Sequence, residues 1–263
     1  MSIVYFFVCL ISCVVGAISG IGGGVIIKPV LDALGTLNVS TISFLSGCTV
    51  LAMTSMTLFR SRNSDVEIDK RKGTLLAVGG AIGGIVGKYI FDAIKTAYGN
   101  GAAVGAAQSI FLAIVTIGVL IFTLNRSKFK TYNIENNMSC IIIGLLLGSI
   151  SAFMGIGGGP INLAILYLLF SMNSKKAALN SIYIIFFSQL ASFLFTILRG
   201  KVPSFGWDVC LFMIAGGLLG GTIGPMISKK LSLKGVDKVY TTLVIVVILI
   251  SIYNFVGYVG KIQ

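Results

Sequence analysis

The stretch AISGIGGGVIIKPVL (residues 17–31) returns as AFMGIGGGPINLAIL at residues 152–166. Each copy holds the pentapeptide Gly-Ile-Gly-Gly-Gly, at 20–24 and at 155–159. Four glycines in five residues do not make ordinary helix, since each costs about 1 kcal/mol relative to alanine there. Both runs lie in apolar surroundings, so each reads as the break in a discontinuous helix. Lipid accepts irregular backbone only where protein buries it or water reaches it. The two runs therefore mark the candidate site.

The surroundings fit a membrane. The chain has 263 residues, 56% of them hydrophobic and 11% charged, where a soluble domain carries about 25% charged residues. Apolar runs near the ~20 residues of a membrane-spanning helix recur from end to end. The fold class expected is an all-α, multi-pass membrane protein of eight spans. They cover roughly 3–24, 38–59, 73–94, 106–124, 138–159, 177–198, 208–228 and 236–258. Spans one and five are broken at their glycines and continue as short halves, Val25–Leu34 and Pro160–Phe170. No basic stretch precedes residues 3–18, so a cleaved leader is not expected.

The chain also divides into repeats. A shift of 135 residues carries Gly20 onto Gly155, a shift of 134 aligns 45–55 with 179–189, and one of 137 aligns GGAIGGIVG (79–87) with GGLLGGTIG (216–224). The units are 1–124 and 138–263, joined by the polar link 125–137. With four spans each, the two units are expected to be parallel, related by an axis along the membrane normal. The GGxxGGxxG segments read as helix packing, because small residues every fourth position let helices approach closely. On this topology the Lys and Arg residues divide nine to eleven between the faces, which leaves the positive-inside rule without a choice. The crowding of Lys229, Lys230, Lys234 and Lys238 favours both chain ends outside.

The net charge of +12 sits almost wholly between apolar runs, where it faces lipid headgroups, so no nucleic-acid partner is expected. The chain has no histidine, and its five cysteines form no CxxC pair, which argues against a metal site or any other cofactor. No HExxH, paired buried acids or Ser/His arrangement is present, so no catalytic residues are assigned and an enzyme is not expected. The acidic residues lie at or near span ends, unlike those of a cation carrier or proton relay.

What remains suits a small anion. Gly22, Gly23 and Gly24, with Gly157, Gly158 and Gly159, would present backbone N–H groups, and the half-helices that follow would add a partial positive charge of roughly +0.5 each. Pro160 suits a first helical position. Lys28 lies one turn past the first run, and Asn162 holds the matching place in the second half. Ser46, Thr54 and Ser55 of span two, and Asn180, Ser181, Ser188 and Gln189 of span six, complete the candidate substrate-binding set. The last four recur at spacings of seven to nine, read as one helical face.

With these residues the chain resembles the sulfite exporter TauE/SafE family of membrane transporters. The resemblance rests on the twin GIGGG runs with their apolar half-helices, the polar face of the following span and the glycine-rich third span of each half. It covers essentially the whole chain. It implies a secondary transporter working by alternating access, with small sulfur-containing anions as substrates (sulfite, thiosulfate, sulfonates such as sulfoacetate) and the bacterial inner membrane as location. Two departures stand out: Lys28 sits where such proteins more often look apolar, and Asn162 follows Pro160 in a GGGPIN run. The alternatives are a passive anion channel, an exporter of another organic acid, and a membrane scaffold that transports nothing. The partners expected are the anion and the lipid bilayer, with a homo-oligomer left open.

Overall fold

The computed structural model describes residues 2–62, 66–98, 101–156 and 158–260. Among them are α1 (Ser2–Ser19), α2 (Gly24–Leu34), α3 (Val39–Ser61), α4 (Lys70–Tyr98) and α5 (Gly101–Leu124) in the first half. A 3-10 turn, Arg126–Lys128, leads to α6 (Asn137–Met154), α7 (Pro160–Phe170), α8 (Ser174–Leu198), α9 (Trp207–Lys230) and α10 (Leu233–Val259). Eight of these are long and apolar enough to cross a bilayer. The other two, α2 and α7, have 11 residues each, which at 1.5 Å per residue reach only about half of a ~30 Å bilayer core. Large apolar side chains such as Ile114, Ile142, Leu211 and Leu249 face outward, as a lipid-facing surface requires.

The glycine doublets of α4 and α9 explain the packing. In α4, Gly79, Gly83 and Gly87 lie against the backbone of Ile141, Leu145 and Ser149 in α6, while Gly80 and Gly84 lie against Ile184 and Ser188 in α8. In α9, Gly216, Gly220 and Gly224 meet Phe6, Leu10 and Val14 of α1, while Gly217 and Gly221 meet Thr49 and Met53 of α3. A Cβ at Gly83 would stand 2.1 Å from the Leu145 carbonyl oxygen. Neighbouring residues on a helix point about 100° apart, so one glycine of each doublet serves one neighbour and the second serves the other. The shift across these matched contacts is 135 residues in α3/α8, so Thr54 corresponds to Gln189, and Met53 to Ser188.

The same contacts fix the directions. Helix α1 ascends beside α9, and α9 beside α3, each with rising residue numbers in step. Likewise α4 runs with α6 and with α8. Between the two groups the sense reverses: Phe44 of α3 stacks on Phe193 of α8, while Gly47, one turn later, lies against Gln189, one turn earlier. Helices α1 and α6 therefore point in opposite directions.

The expectation of two parallel units does not survive this. The half-helices do not prolong α1 and α6; they turn back along them. Thr36, just past α2, shares a 2.6 Å hydrogen bond with Tyr5 near the start of α1. Tyr132 and Ile134, just before α6, donate N–H bonds of 2.7 and 3.0 Å to Leu168 and Leu169 near the end of α7. Each half thus has five legs instead of four, and an odd number inverts the second half relative to the first.

The charge distribution changes with the topology. Loops 62–69, 125–136, 171–173 and 231–232 now share one face, which collects fourteen of the twenty Lys and Arg: Arg60 to Lys72, Arg126 to Lys130, Lys175 with Lys176, and Lys229 to Lys238. This basic face is the one the positive-inside rule assigns to the cytoplasm. Loops 35–38 and 199–206, the start of α1 and the end of α10 lie on the opposite face. In single-cysteine variants, an impermeant thiol reagent should reach Lys130→Cys and Lys234→Cys only from the cytoplasmic side, and Lys201→Cys only from the other. Labelling of the first two from opposite sides would restore the four-leg topology.

Candidate functional site

Each hairpin turn depends on left-handed backbone that favours glycine. After Ser19 the chain passes Gly20 (φ 77°) and Gly22 (φ 89°) before α2 begins at Gly24. After Met154, Gly155 (φ 65°) closes α6, its N–H bonding Ala152 while Ile156 N–H reaches back to Ser151, the usual glycine-terminated helix end. Gly158 (φ 151°) then leads to Pro160, the first residue of α7 as its fixed φ favours.

The two turns cross. A Cβ at Gly24 would stand 2.0 Å from the Ile156 carbonyl oxygen, and one at Gly158 would stand 2.8 Å from that of Ile21. Ile21 and Ile156 are completely buried. No side chain caps α2 or α7 at its start, whereas Asn38, Asn136, Asn173 and Ser232 cap α3, α6, α8 and α10. Ile26 and Ile27 N–H bond Gly23 and Asn162 N–H bonds Gly159, Pro160 has no N–H, and each start carries the positive end of a helix dipole.

Helices α3 and α8 flank the crossing. Ser43 lies against Gly155 and Val50 against Gly24, so Ser46 sits between them on one stripe of α3. In α8, Ala178 lies against Gly20 and Ile185 against Gly158, which puts Ser181 between them. Ser46 and Ser181 are fully buried, and neither hydroxyl has a hydrogen-bond partner. Asn162, in the first turn of α7, is also buried with its Oδ1 unpartnered. A buried polar group without a partner costs about 1–3 kcal/mol, and the two hydroxyls beside the crossing are groups that a ligand's acceptor could satisfy.

Other residues expected at the site have other partners. Lys28 reaches the crossing, its Cε 3.5 Å from where a Cβ at Gly155 would stand, but its Nζ donates 2.7 Å to Asp32, one turn on, and this pair carries no net charge. Asp32 lies in the last turn of α2 and is buried. Asn180 is committed to structure: its Oδ1 accepts from Asp69 N–H (3.2 Å) at the entrance to α4, and its Nδ2 donates to Lys176 (2.9 Å). Gln189 lies nine residues, or two and a half turns, from Asn180, so the two occupy opposite sides of α8. Gln189 lines a small cavity near the opposite face, while Ser188 packs under Gly84. Thr54 and Ser55 both bond Leu51 of their own helix, and Ser55 is exposed. Gly159 is extended (φ −163°), with nothing within 3.4 Å of an added Cβ. Gly157 lies outside the described residues.

A larger cavity, about 230 Å³, reaches the crossing from the basic face. Its inner wall includes Ala17 and Ala178, beside Gly20, and its mouth holds Lys175 and Lys229. Neither lysine pairs with a carboxylate among the described residues. Read from the sequence alone these were loop charges; only the antiparallel meeting of α3 with α8 brings them to one opening. Gly24→Ala should cost about 3 kcal/mol of stability, as overpacking against backbone does, whereas Gly159→Ala should leave the melting temperature of the purified protein unchanged. Equal melting of the two variants would contradict the close crossing.

A family model described as "Sulfite exporter TauE/SafE" matches residues 5–253. The chain is 23% identical over 261 residues to the probable membrane transporter protein YunE of Bacillus subtilis, covering 90% of this chain and 92% of that protein. It is 30% identical over 148 residues to a probable membrane transporter protein of Haemophilus influenzae, covering 51% of this chain and 56% of that one. No solved structure matches. With eight bilayer-length helices, two crossed glycine hairpins and a match over nearly its whole length, the chain belongs to the sulfite exporter TauE/SafE family of membrane transporters.

Proposed function

We propose that the chain is a secondary transporter of a small oxyanion, of the sulfite, thiosulfate or sulfoacetate type, in the bacterial inner membrane, and that the anion passes the hairpin crossing. The observation that carries this reading is the pair of unpartnered buried hydroxyls, Ser46 and Ser181, beside two helix starts that no side chain caps. An oxyanion brings several acceptor oxygens and no donor, and its ligands must therefore be donors. The two hydroxyls and the Nδ2 of Asn162 are such donors, with the positive ends of the α2 and α7 dipoles beside them. Two helix starts supply roughly one positive charge between them, enough to offset much of a small anion's charge. Lys28 adds none, because Asp32 neutralises it.

The units 1–124 and 138–263, joined by 125–137, act in this reading as inverted repeats whose motions expose the crossing to one side and then the other. The lysine-mouthed cavity on the cytoplasmic face gathers anions for export. A passive channel fits less well, since the carbonyls of Ile156 and Ile21 stand against Gly24 and Gly158 and close the crossing.

The test is flux of radiolabelled sulfite, thiosulfate and sulfoacetate in proteoliposomes, with ligand-dependent thermal stabilisation alongside. A ligand at 100 times its Kd stabilises by about 2.7 kcal/mol. A hydrogen bond to a charged group contributes about 1.5–3 kcal/mol, so Ser46→Ala and Ser181→Ala should each lower flux by about tenfold or more while the protein still inserts. Unaltered flux in the double variant would remove the crossing from the pathway.

A further inference from the structure

The larger cavity has a counterpart. A second, much smaller cavity of about 30 Å³ lies near the opposite face, between α3, α4, α6 and α8. Under the shifts that match the glycine contacts, Ala17 maps to Ala152, Thr57 to Ser192 and Ala178 to Ser43, and Pro225 maps to Lys88. Eight of the eleven residues lining the larger cavity have their counterpart lining the smaller one. Both end at the crossing, one at Ala178 beside Gly20 and the other at Gly155. The two are one structural feature built twice, open on the basic face and nearly shut on the other.

What shuts the second one is aromatic. Phe44, at the place of Leu179, stacks on Phe193 (5.9 Å between ring centres) and on Phe205 (5.7 Å), so three rings cover its outer end. Inside lies Lys88, at the place of Pro225. Its side chain is largely buried, over the ring of Phe91, and its Nζ is 3.4 Å from Asp92. That carboxylate balances its charge, as Asp32 balances Lys28, so the pair adds no net charge to the cavity. Ser43 and Gln189 line the same space, and the Ser43 hydroxyl has no partner.

We propose that this shut cavity is the exit half of the anion pathway, gated by Phe44 on Phe193. The proposal rests on the transport reading above and adds to it an exit and a gate on the opposite face. The structure is then the state open to the basic face. Because the repeats are inverted, the other state follows when each half takes the other's arrangement: the Lys88 cavity opens while the Lys175 and Lys229 cavity closes.

A native cysteine reports on it, for Cys48 lines the shut cavity while Cys9, Cys13, Cys140 and Cys210 are buried. In the full chain reconstituted in lipid vesicles, Phe44→Ala should speed labelling of Cys48 by an impermeant thiol reagent. The same change in a Cys48→Ser, Ser228→Cys background should slow labelling of position 228 in the larger cavity. Phe193→Ala should repeat the pair of effects. Loosened packing would speed both sites, and that result, or an unchanged Cys48, overturns the gate.

None of these measurements needs a transported substrate, so failure of the gate and failure of the anion-flux reading are separately visible.

Discussion

Lipid offers no hydrogen bonds to bare backbone, so non-helical chain can lie in the membrane interior only where protein covers it. Here the two irregular stretches, one at 20–23 and one holding Gly155, Ile156, Gly158 and Gly159, cover one another. Gly24 admits the Ile156 carbonyl and Gly158 admits that of Ile21, at separations that no side chain would leave. Much else follows from that contact. The chain must turn back to make it, which gives each half an odd number of legs. The inversion in turn lets α1 of one half pack on α9 of the other, and α4 on α6, through glycine stripes that leave the backbones touching. No side chain caps either half-helix where it starts, and in the transport reading proposed above that is where an oxyanion would sit.

Charge is kept out of this centre with care. The single lysine–aspartate pair near it, Lys28 with Asp32, is complete in itself, four residues apart on one short helix. Fourteen of the other nineteen cations stand at the basic face. Arg126 and Ser174 both bond Asp237 there, tying the link between the halves to α8 and α10. In the transport reading proposed above, the field that collects anions is concentrated at one opening, and the groups that would hold an anion at the crossing are neutral. Such a division favours passage, since a fixed buried charge at the crossing would trap what it attracts.

The spans, the two helix breaks and the start of α7 at Pro160 were legible in the sequence, because each has a local cause: apolar length, consecutive glycines, a fixed φ. Direction was not. Whether a helix continues or reverses after GIGGG depends on which glycines take positive φ, here Gly20, Gly22, Gly155 and Gly158, and on what the returning segment meets. The count of basic residues on each face changed with that one decision. The site was legible in part. Ser46, Ser181 and Asn162 do surround the crossing, but Asn180 serves the entrance to α4, a contact 111 residues away along the chain that no local pattern announces. The Lys28–Asp32 spacing was open to view, as i and i+4 on one helix, and it signals pairing more than ligand binding. Lys175 and Lys229 needed the tertiary fold to become neighbours of one cavity.

The halves share an architecture but not their side chains, and the differences fall where a directional carrier needs them. Two identical inverted halves would have two equivalent states of equal energy, open to either face with equal ease. This chain sets Leu179 against Phe44 and Pro225 against Lys88 at matched places. Three stacked rings on one side, with aromatic pairs contributing about 0.5–1.5 kcal/mol beyond the area they bury, stabilise closure of that side. In the alternating-access reading proposed above, the empty carrier is thereby biased toward the face where Lys175 and Lys229 stand. An anion that binds at the crossing must favour the other state strongly enough to separate those rings, since a ligand shifts an equilibrium only by its difference in affinity for the two states. The resting bias and the work required of the substrate are then the same quantity, written into the residues by which the repeats diverged.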